Sequence, residues 1–250
     1  MQNGGKKITN IKTYYCGYCV NHLNRIFKNT KKETRHFAAM VALFQHNDSY
    51  YLFDTGYSKL VLENGWRSKV YNTLNPIIFN DKDSLVTQLA NDNILPSDIK
   101  GIILSHLHPD HIGGLLDFPN SKIYVSKKTY LTLKNPKLFD IIFKNLIPTN
   151  FENRIEILDF EDEHDFFGDG SLILKDVSGH TNGQMGMFLP EYNIFYGADS
   201  TWGMDLIDKP MKAVARFLQK DFKAYQNTIE KIKEMQENGI KVVVSHEVQE

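Results

Sequence analysis

The sequence predicts an α/β fold whose strands deliver metal-binding side chains to one edge. Three observations carry this. Short apolar runs with strand character alternate with stretches of helical periodicity. Four of those runs end in a potential ligand: Leu104 precedes His106, Val177 precedes His180, Tyr196 precedes Asp199, and Val244 precedes His246. Strand ends on one edge of a sheet are where sites are commonly assembled. The pattern also breaks near residue 150, dividing the chain into two rough halves. With 250 residues there is room for one large domain or two small ones around a buried core.

In chain order, residues 8–15 alternate as a first strand. Residues 37–44 and 49–53 flank the polar turn His46-Asn47-Asp48 and predict a hairpin. The second hairpin strand runs into Asp54-Thr55-Gly56. Residues 57–80 scatter Trp66, Tyr71, Leu74 and Phe79 among polar neighbours, which predicts a long aromatic surface loop. Asp83-Ser84 opens a helix through about residue 91, and Pro96-Ser97-Asp98 leads into a strand ending at Ser105. A strand at 122–126, a helix at 127–133 and another at 136–145 follow, the last from helical spacing of Leu138, Ile141 and Ile142. The second half opens with a strand at 155–158, an acidic turn at 161–165 and a tight turn at Gly168-Asp169-Gly170. Strands at 172–177, 185–189 and 194–196 come next. Phe222, Tyr225, Ile229, Ile232 and Met235 form one apolar stripe on one or two helices within 213–238, which Gly239 ends. The last strand is 240–244.

Composition narrows the function classes. A formal net charge of -1 gives no global field to attract nucleic acid or an anionic membrane. The longest strongly apolar run, about 37–44, is too short to span a bilayer, and the first residues lead into no long apolar segment. A cytoplasmic protein with a small-molecule substrate is the expectation, and both a monomer and a homodimer fit. The two cysteines, in Cys16-Gly17-Tyr18-Cys19, have no second pair to complete a structural zinc site and read as reduced thiols near an early strand.

The chemistry concentrates in Ser105-His106-Leu107-His108-Pro109-Asp110-His111-Ile112-Gly113-Gly114. Two residues apart on extended chain, His106 and His108 project to one side. Asp110 and His111 diverge only if the chain turns there, and Gly113-Gly114 allow the close approach such a turn needs. The spacing suggests one ligand pair for one metal and a second pair for another. Imidazole and carboxylate at this density are costly to keep together without a cation. His22, His36, His46 and His164 fall outside the pattern and are read as surface or core residues.

With His106-x-His108-x-Asp110-His111 followed by His180, Asp199 and His246, the chain resembles the metallo-β-lactamase superfamily of metal-dependent hydrolases. Phe53-Asp54-Thr55-Gly56 is similar to that superfamily's early Asp-Thr-Gly motif. The resemblance implies a four-layer αβ/βα sandwich, a single domain over 1–250 with pseudo-halves at about 1–150 and 151–250, and a dinuclear site. His106, His108 and His180 would hold one metal, Asp110, His111 and His246 the other, and Asp199 would bridge. Asp54 would orient a ligand through hydrogen bonds. Two divalent ions sharing a water would make hydroxide available near pH 7 to attack a small ester or lactone. Asp110 would act in catalysis by carrying a proton to the leaving group. Mixed imidazole and carboxylate ligation suits Zn2+ first, with Fe and Mn also compatible.

Within the superfamily the chain is similar to the N-acyl homoserine lactone lactonase branch, through residues 105–114 and its length. Antibiotic-hydrolysing enzymes usually place a cysteine in the second metal site; glyoxalase II continues into a helical region after the last histidine. Neither matches here. Two positions depart from the lactonase pattern. Trp202 stands where a tyrosine assists the substrate carbonyl, and an indole offers a donor but no acceptor; it is the candidate substrate-pocket residue. Ser178 stands where proline is common. A phosphodiester hydrolase on the same site is the alternative, with Arg67, Lys69 and Lys209 as its candidate cations. A non-catalytic metal-binding sensor is the third reading.

Overall fold

The computed structural model describes residues 7–247. The first six residues of the sequence reading and residues 248–250 lie outside the described residues.

The first sheet has seven strands: β1 (Ile8–His22), β2 (Thr34–His46), β3 (Ser49–Phe53), β4 (Ile77–Ile78), β5 (Ile99–Ile103), β6 (Lys122–Ser126) and β7 (Ile155–Leu158), in the order β4-β1-β2-β3-β5-β6-β7. β1, β2 and β3 pair antiparallel, whereas β3, β5, β6 and β7 run parallel. The second sheet holds β8 (Glu163–Asp165), β9 (Ile173–Asp176), β10 (Met185–Leu189), β11 (Ile194–Tyr196) and β12 (Lys241–Val243), in the order β12-β11-β10-β9-β8. Its pairings are antiparallel except β11 with β12. The sheets thus divide the chain between Leu158 and Glu163.

Alternation along β2 shows how the layers stack. Met40, Ala42 and Phe44 face Leu174, Met185 and Met187 of the second sheet in one core cluster. Ala39, Val41 and Leu43 point the other way, into a core shared with helix Leu85–Asn91. Behind the second sheet, Phe195, Val242 and Val244 pack on Ile232 of helix Phe222–Glu237. Helices therefore cover the outer face of each sheet, giving the four-layer αβ/βα sandwich. A strand such as β2, buried on both faces, reads as one continuous apolar run.

Four local expectations change. The acidic stretch 161–165, expected as a turn, contributes strand β8 from Glu163 to Asp165, paired with β9. β1 runs on to His22 and takes in Cys16 and Cys19, both buried free thiols. The 57–80 stretch is a 3-10 turn at Lys59–Glu63 followed by helix Gly65–Leu74. No helix forms at 136–145. Instead, 3-10 turns at Leu138–Asp140 and Lys144–Leu146 flank Ile141, whose φ of 52° is left-handed. A β-branched residue there ends any right-handed helix. The C-terminal stripe divides into Ala213–Phe217 and Phe222–Glu237, the second capped by Asp221 accepting from the amides of Lys223 and Ala224. Among the described residues, no helix is long and apolar enough to cross a membrane.

Candidate metal centre

The centre is built where strands stop. β5 ends at Ile103, and the chain bends at Ser105 and again at His108, which occupies the N-cap of the one-turn helix Pro109–Ile112. Pro109 at the first helical position turns the backbone sharply enough to bring Asp110 and His111 round to the same centre. Asp199 lies in the 3-10 turn Ala198–Ser200 after β11, and His246 follows β12. The turn at 109–114 needs its glycines. A Cβ on Gly113 would lie 2.6 Å from the Gly56 carbonyl, and one on Gly114 would lie 2.7 Å from that of Thr55. Thr55 and Ser58 fasten the two loops by donating to the carbonyls of His111 and Gly113.

Atoms of His106, His108, His180 and Asp199 lie within 4.8 Å of one another, and those of Asp110, Asp199 and His246 form a second such group. Asp199 belongs to both. Its Oδ2 is 3.3 Å from His180 Nε2 and 3.1 Å from His246 Nε2, while its Oδ1 is 3.1 Å from His111 Nε2. His111 Nε2 is also 3.6 Å from Asp110 Oδ2. All seven residues named in the sequence reading are therefore in one buried centre.

Four of the five histidines have Nδ1 tied outside the centre. His111 Nδ1 donates to Asp54 Oδ2 at 2.7 Å, and His246 Nδ1 donates to the Ala38 carbonyl at 2.8 Å. The Ser105 hydroxyl donates to Asp54, so its oxygen is left to accept from His106 Nδ1 at 3.0 Å. His180 Nδ1 lies 3.0 Å from Gln219 Oε1. In all four, Nε2 turns inward. His108 is reversed and presents Nδ1, 3.0 Å from His180 Nε2. Asp54 accepts from His111 and from Ser105 at the back of the centre. Gln219 and the Ala38 carbonyl are contributors that sequence reasoning did not identify.

Burial and the neighbouring rings His111 and His108 push His106 well below the usual histidine range. Burial does the same for His108, aided by His180, and burial lowers His180. Burial works against charge on Asp199 too, but His246 and His111 outweigh it and hold the carboxyl well below its ordinary value. Burial likewise opposes protonation of His111 and His246, yet Asp199 and its neighbours raise both. The first group is therefore neutral imidazole, the form that binds metal, facing an ionised carboxylate. His106 Nε2, His111 Nε2 and Asp199 Oδ1 are buried without a hydrogen-bond partner. Such atoms are costly in a folded protein unless something pairs with them. Nitrogen and carboxylate donors converging in this way fit divalent cations.

A cleft of about 650 Å³, including its open mouth, leads to His106, His108 and His180. Phe139, Ile142, Phe217 and Leu218 form its apolar wall. Lys220 is the one cationic side chain lining it among the described residues, and it is ion-paired with Asp140. Trp202 does not line this cleft. It packs edge-on against Phe27 and Phe37, each at 6.2 Å, and Phe37 in turn meets His246. Of the candidate phosphate-binding cations, Arg67 donates to the Ile142 carbonyl, and Lys69 and Lys209 are exposed away from the cleft. His36, His46 and His164 stack on Tyr18, Phe167 and Phe160 respectively, outside the centre.

The family model of the metallo-beta-lactamase superfamily matches residues 35–244. An N-acyl homoserine lactonase AttM from Azorhizobium caulinodans is 29% identical over 109 residues, 42% of this chain and 41% of that protein. Its counterpart from Agrobacterium fabrum is 32% identical over 111 residues, 41% of each. The matched part thus spans about two fifths of these relatives. Among solved structures, a B. thuringiensis AiiA variant with N-decanoyl-L-homoserine bound has a TM-score of 0.77 at 17% identity, covering 97% of this chain and 94% of that one. The dizinc quorum-quenching lactonase AidC has a TM-score of 0.70 at 18% identity, covering 96% and 88%. These structural likenesses establish a shared fold. With the family model matching most of its length, the chain belongs to the metallo-beta-lactamase superfamily.

Proposed function

We propose that this protein is a dinuclear metal-dependent hydrolase that opens small uncharged esters or lactones, of which an N-acyl homoserine lactone is the type. His106, His108 and His180 would hold one cation and Asp110, His111 and His246 the other, with Asp199 shared between the two groups and zinc the first metal expected. Two bound divalent cations supply a nucleophile at neutral pH and polarise the acyl oxygen. The rest falls to the chain. Asp199, ionised, keeps the two groups of donors at a fixed separation. Asp110 Oδ2, beside His111 and His246, is placed to take up a proton and return it to the leaving alkoxide. The apolar wall orients the acyl part and excludes water from the reacting face.

One observation carries the choice of substrate: among the described residues, the one cationic side chain lining the cleft, Lys220, is already neutralised by Asp140. A phosphodiester brings a fixed negative charge and calls for free Lys or Arg beside it. A neutral ester does not. The lactonase relatives, at 29% and 32% identity, support the same reading. The test is proton release in a pH-stat, using zinc-reconstituted protein and a medium-chain acyl homoserine lactone. Each ring opening yields one carboxylic acid, so turnover appears as a proton. Fast release abolished by chelator is expected. Silence from a fully loaded sample that cleaves bis(p-nitrophenyl) phosphate overturns the proposal.

A further inference from the structure

We infer that Gln219 is the positioning residue for His180, selecting the ring nitrogen that faces the centre and so governing metal retention by the His106–His108–His180 group. The inference rests on the metal reading of the centre given above.

A glutamine side chain has two unlike ends, one donating and one accepting. Here both are committed. Nε2 donates to the Ala215 carbonyl at 3.2 Å, one turn back in the chain. That bond leaves Oε1 facing His180 Nδ1 at 3.0 Å. An amide oxygen only accepts, so Nδ1 must carry the hydrogen. A ring that offers a lone pair to a cation is a neutral imidazole, and a neutral imidazole has a single N–H. Nε2 is therefore left with its lone pair directed into the centre, as a ligand requires.

The competing tautomer has ready acceptors. His108 Nδ1 lies 3.0 Å and Asp199 Oδ2 3.3 Å from His180 Nε2, near enough to receive a hydrogen from it. Were Nε2 to carry that hydrogen, the ring would satisfy Asp199 and lose its place as a ligand. Gln219 removes this choice, because moving the hydrogen to Nε2 would set Nδ1 and Oε1 face to face as two acceptors. His106, His111 and His246 are held by Ser105, Asp54 and the Ala38 carbonyl, which lie in strands of the first sheet or in the loops directly after them. His180 alone is held from the segment that walls the cleft, where Leu218 and Lys220 flank Gln219.

The backbone already fixes where Gln219 stands. Lys220 N donates to the His180 carbonyl at 3.1 Å, and Asp221 N donates to that of Gly179 at 3.0 Å. Replacing the side chain therefore leaves the segment attached while removing the selector. Q219L keeps the bulk and loses both polar ends. Q219E keeps an acceptor for Nδ1, and as a neutral carboxylic acid it also keeps a donor for Ala215.

The experiment measures zinc binding to metal-free protein by competition with a chromophoric chelator. The wild type should bind two ions. In Q219L one site should weaken by about 10- to 100-fold, the usual effect of removing a ligand's supporting partner, and the other should change little. Q219E should stay within about threefold of the wild type. The ring 15N shifts of His180 provide a readout that loss of packing alone does not move. They should report hydrogen on Nδ1 in metal-free wild type and on Nε2 in Q219L. Unchanged affinity at both sites in Q219L overturns the inference, as does a Q219E protein as weak as Q219L. If Q219L is unfolded, the wild-type spectrum decides, and hydrogen on Nε2 there overturns it. A wild type that binds no zinc refutes the metal reading itself and takes this inference with it.

Discussion

Asp54 Oδ2 accepts from His111 Nδ1 at 2.7 Å across 57 residues of sequence, and the same carboxylate accepts from the Ser105 amide and hydroxyl. One buried side chain therefore anchors the start and the end of the 105–111 ligand loop. Asp54→Asn should break this. Asparagine tolerates the φ of 66° at this position, but its amide group must face a donor whichever way it turns. We expect metal affinity to fall about 10- to 100-fold and stability to fall about 1–3 kcal/mol from the unmatched donor. Zinc stoichiometry after dialysis and urea unfolding of the metal-free variant check both. Full zinc occupancy in Asp54→Asn would count against the anchoring role.

Gly113→Ala tests the seam between the two loops. The added methyl would meet the Gly56 carbonyl, the Ser58 amide and the Pro109 carbonyl at 2.6, 2.7 and 2.9 Å, all of them backbone atoms with little freedom to move. Overpacking of this kind costs about 1–3 kcal/mol. Since the displaced loop carries Asp110 and His111, zinc content should fall along with Tm. A variant with wild-type Tm and zinc content contradicts the steric argument.

Chelation should lower thermal stability. A cation held by the folded chain at 100 times its Kd adds about 2.7 kcal/mol, and for a chain of this size each kcal/mol shifts Tm by about 2–4 °C. Removing zinc should therefore lower Tm by about 5–10 °C, and adding it back should restore the difference. Scans that overlay with and without chelator would show that nothing stabilising is held there.

The cleft wall predicts a dependence on acyl length. Phe139 and Phe217 meet edge to face at 5.5 Å from two separate segments, yet they are 68% and 69% exposed. At that exposure Phe139→Ala or Phe217→Ala should change stability by less than about 0.5 kcal/mol. Burying two methylenes is worth about 1.6 kcal/mol, enough for roughly a tenfold change in KM. Decanoyl substrates should therefore suffer in either variant while butanoyl substrates do not. Equal losses for both chain lengths would remove these rings from substrate contact.

The seven clustered residues were legible in sequence because each strand is a distinct apolar run with a donor side chain at its end. What sets their orientation was not. Gln219 is 39 residues from His180 in sequence and sits in the link between the short helix Ala213–Phe217 and the long helix Phe222–Glu237, where no local pattern marks an acceptor. Helix Gly65–Leu74 escaped notice because its apolar residues Trp66, Val70 and Leu74 are exposed and its one buried residue is Ser68. Periodicity reports burial, so a helix that buries little leaves little trace. The opposite error arose at 136–145, where helical spacing was present but Ile141 takes a left-handed φ that spacing does not reveal. Trp202 was placed by its distance from Asp199 in sequence, and the turn after Asp199 directs it toward Phe27 and Phe37 instead of the cleft.

The bond from His246 to the Ala38 carbonyl closes over 208 residues, and β12, which carries His246, joins its sheet through a single parallel neighbour. On a chain leaving the ribosome, Asp54 and the 105–111 loop emerge with strands that can already pair, whereas His246 emerges far later. Contacts between distant parts of a chain form slowly because the loop between them must first be closed. A cation that meets the nascent protein early would find only the four donors of the 105–111 loop, without His180, Asp199 and His246. In refolding with cobalt, the absorption of the liganded ion should lag behind the tyrosine fluorescence change that follows burial of the first sheet. Simultaneous phases would mean that the centre forms together with the sheet. A lag would make metal loading the closing event of assembly, after the distant His246 has joined the other donors.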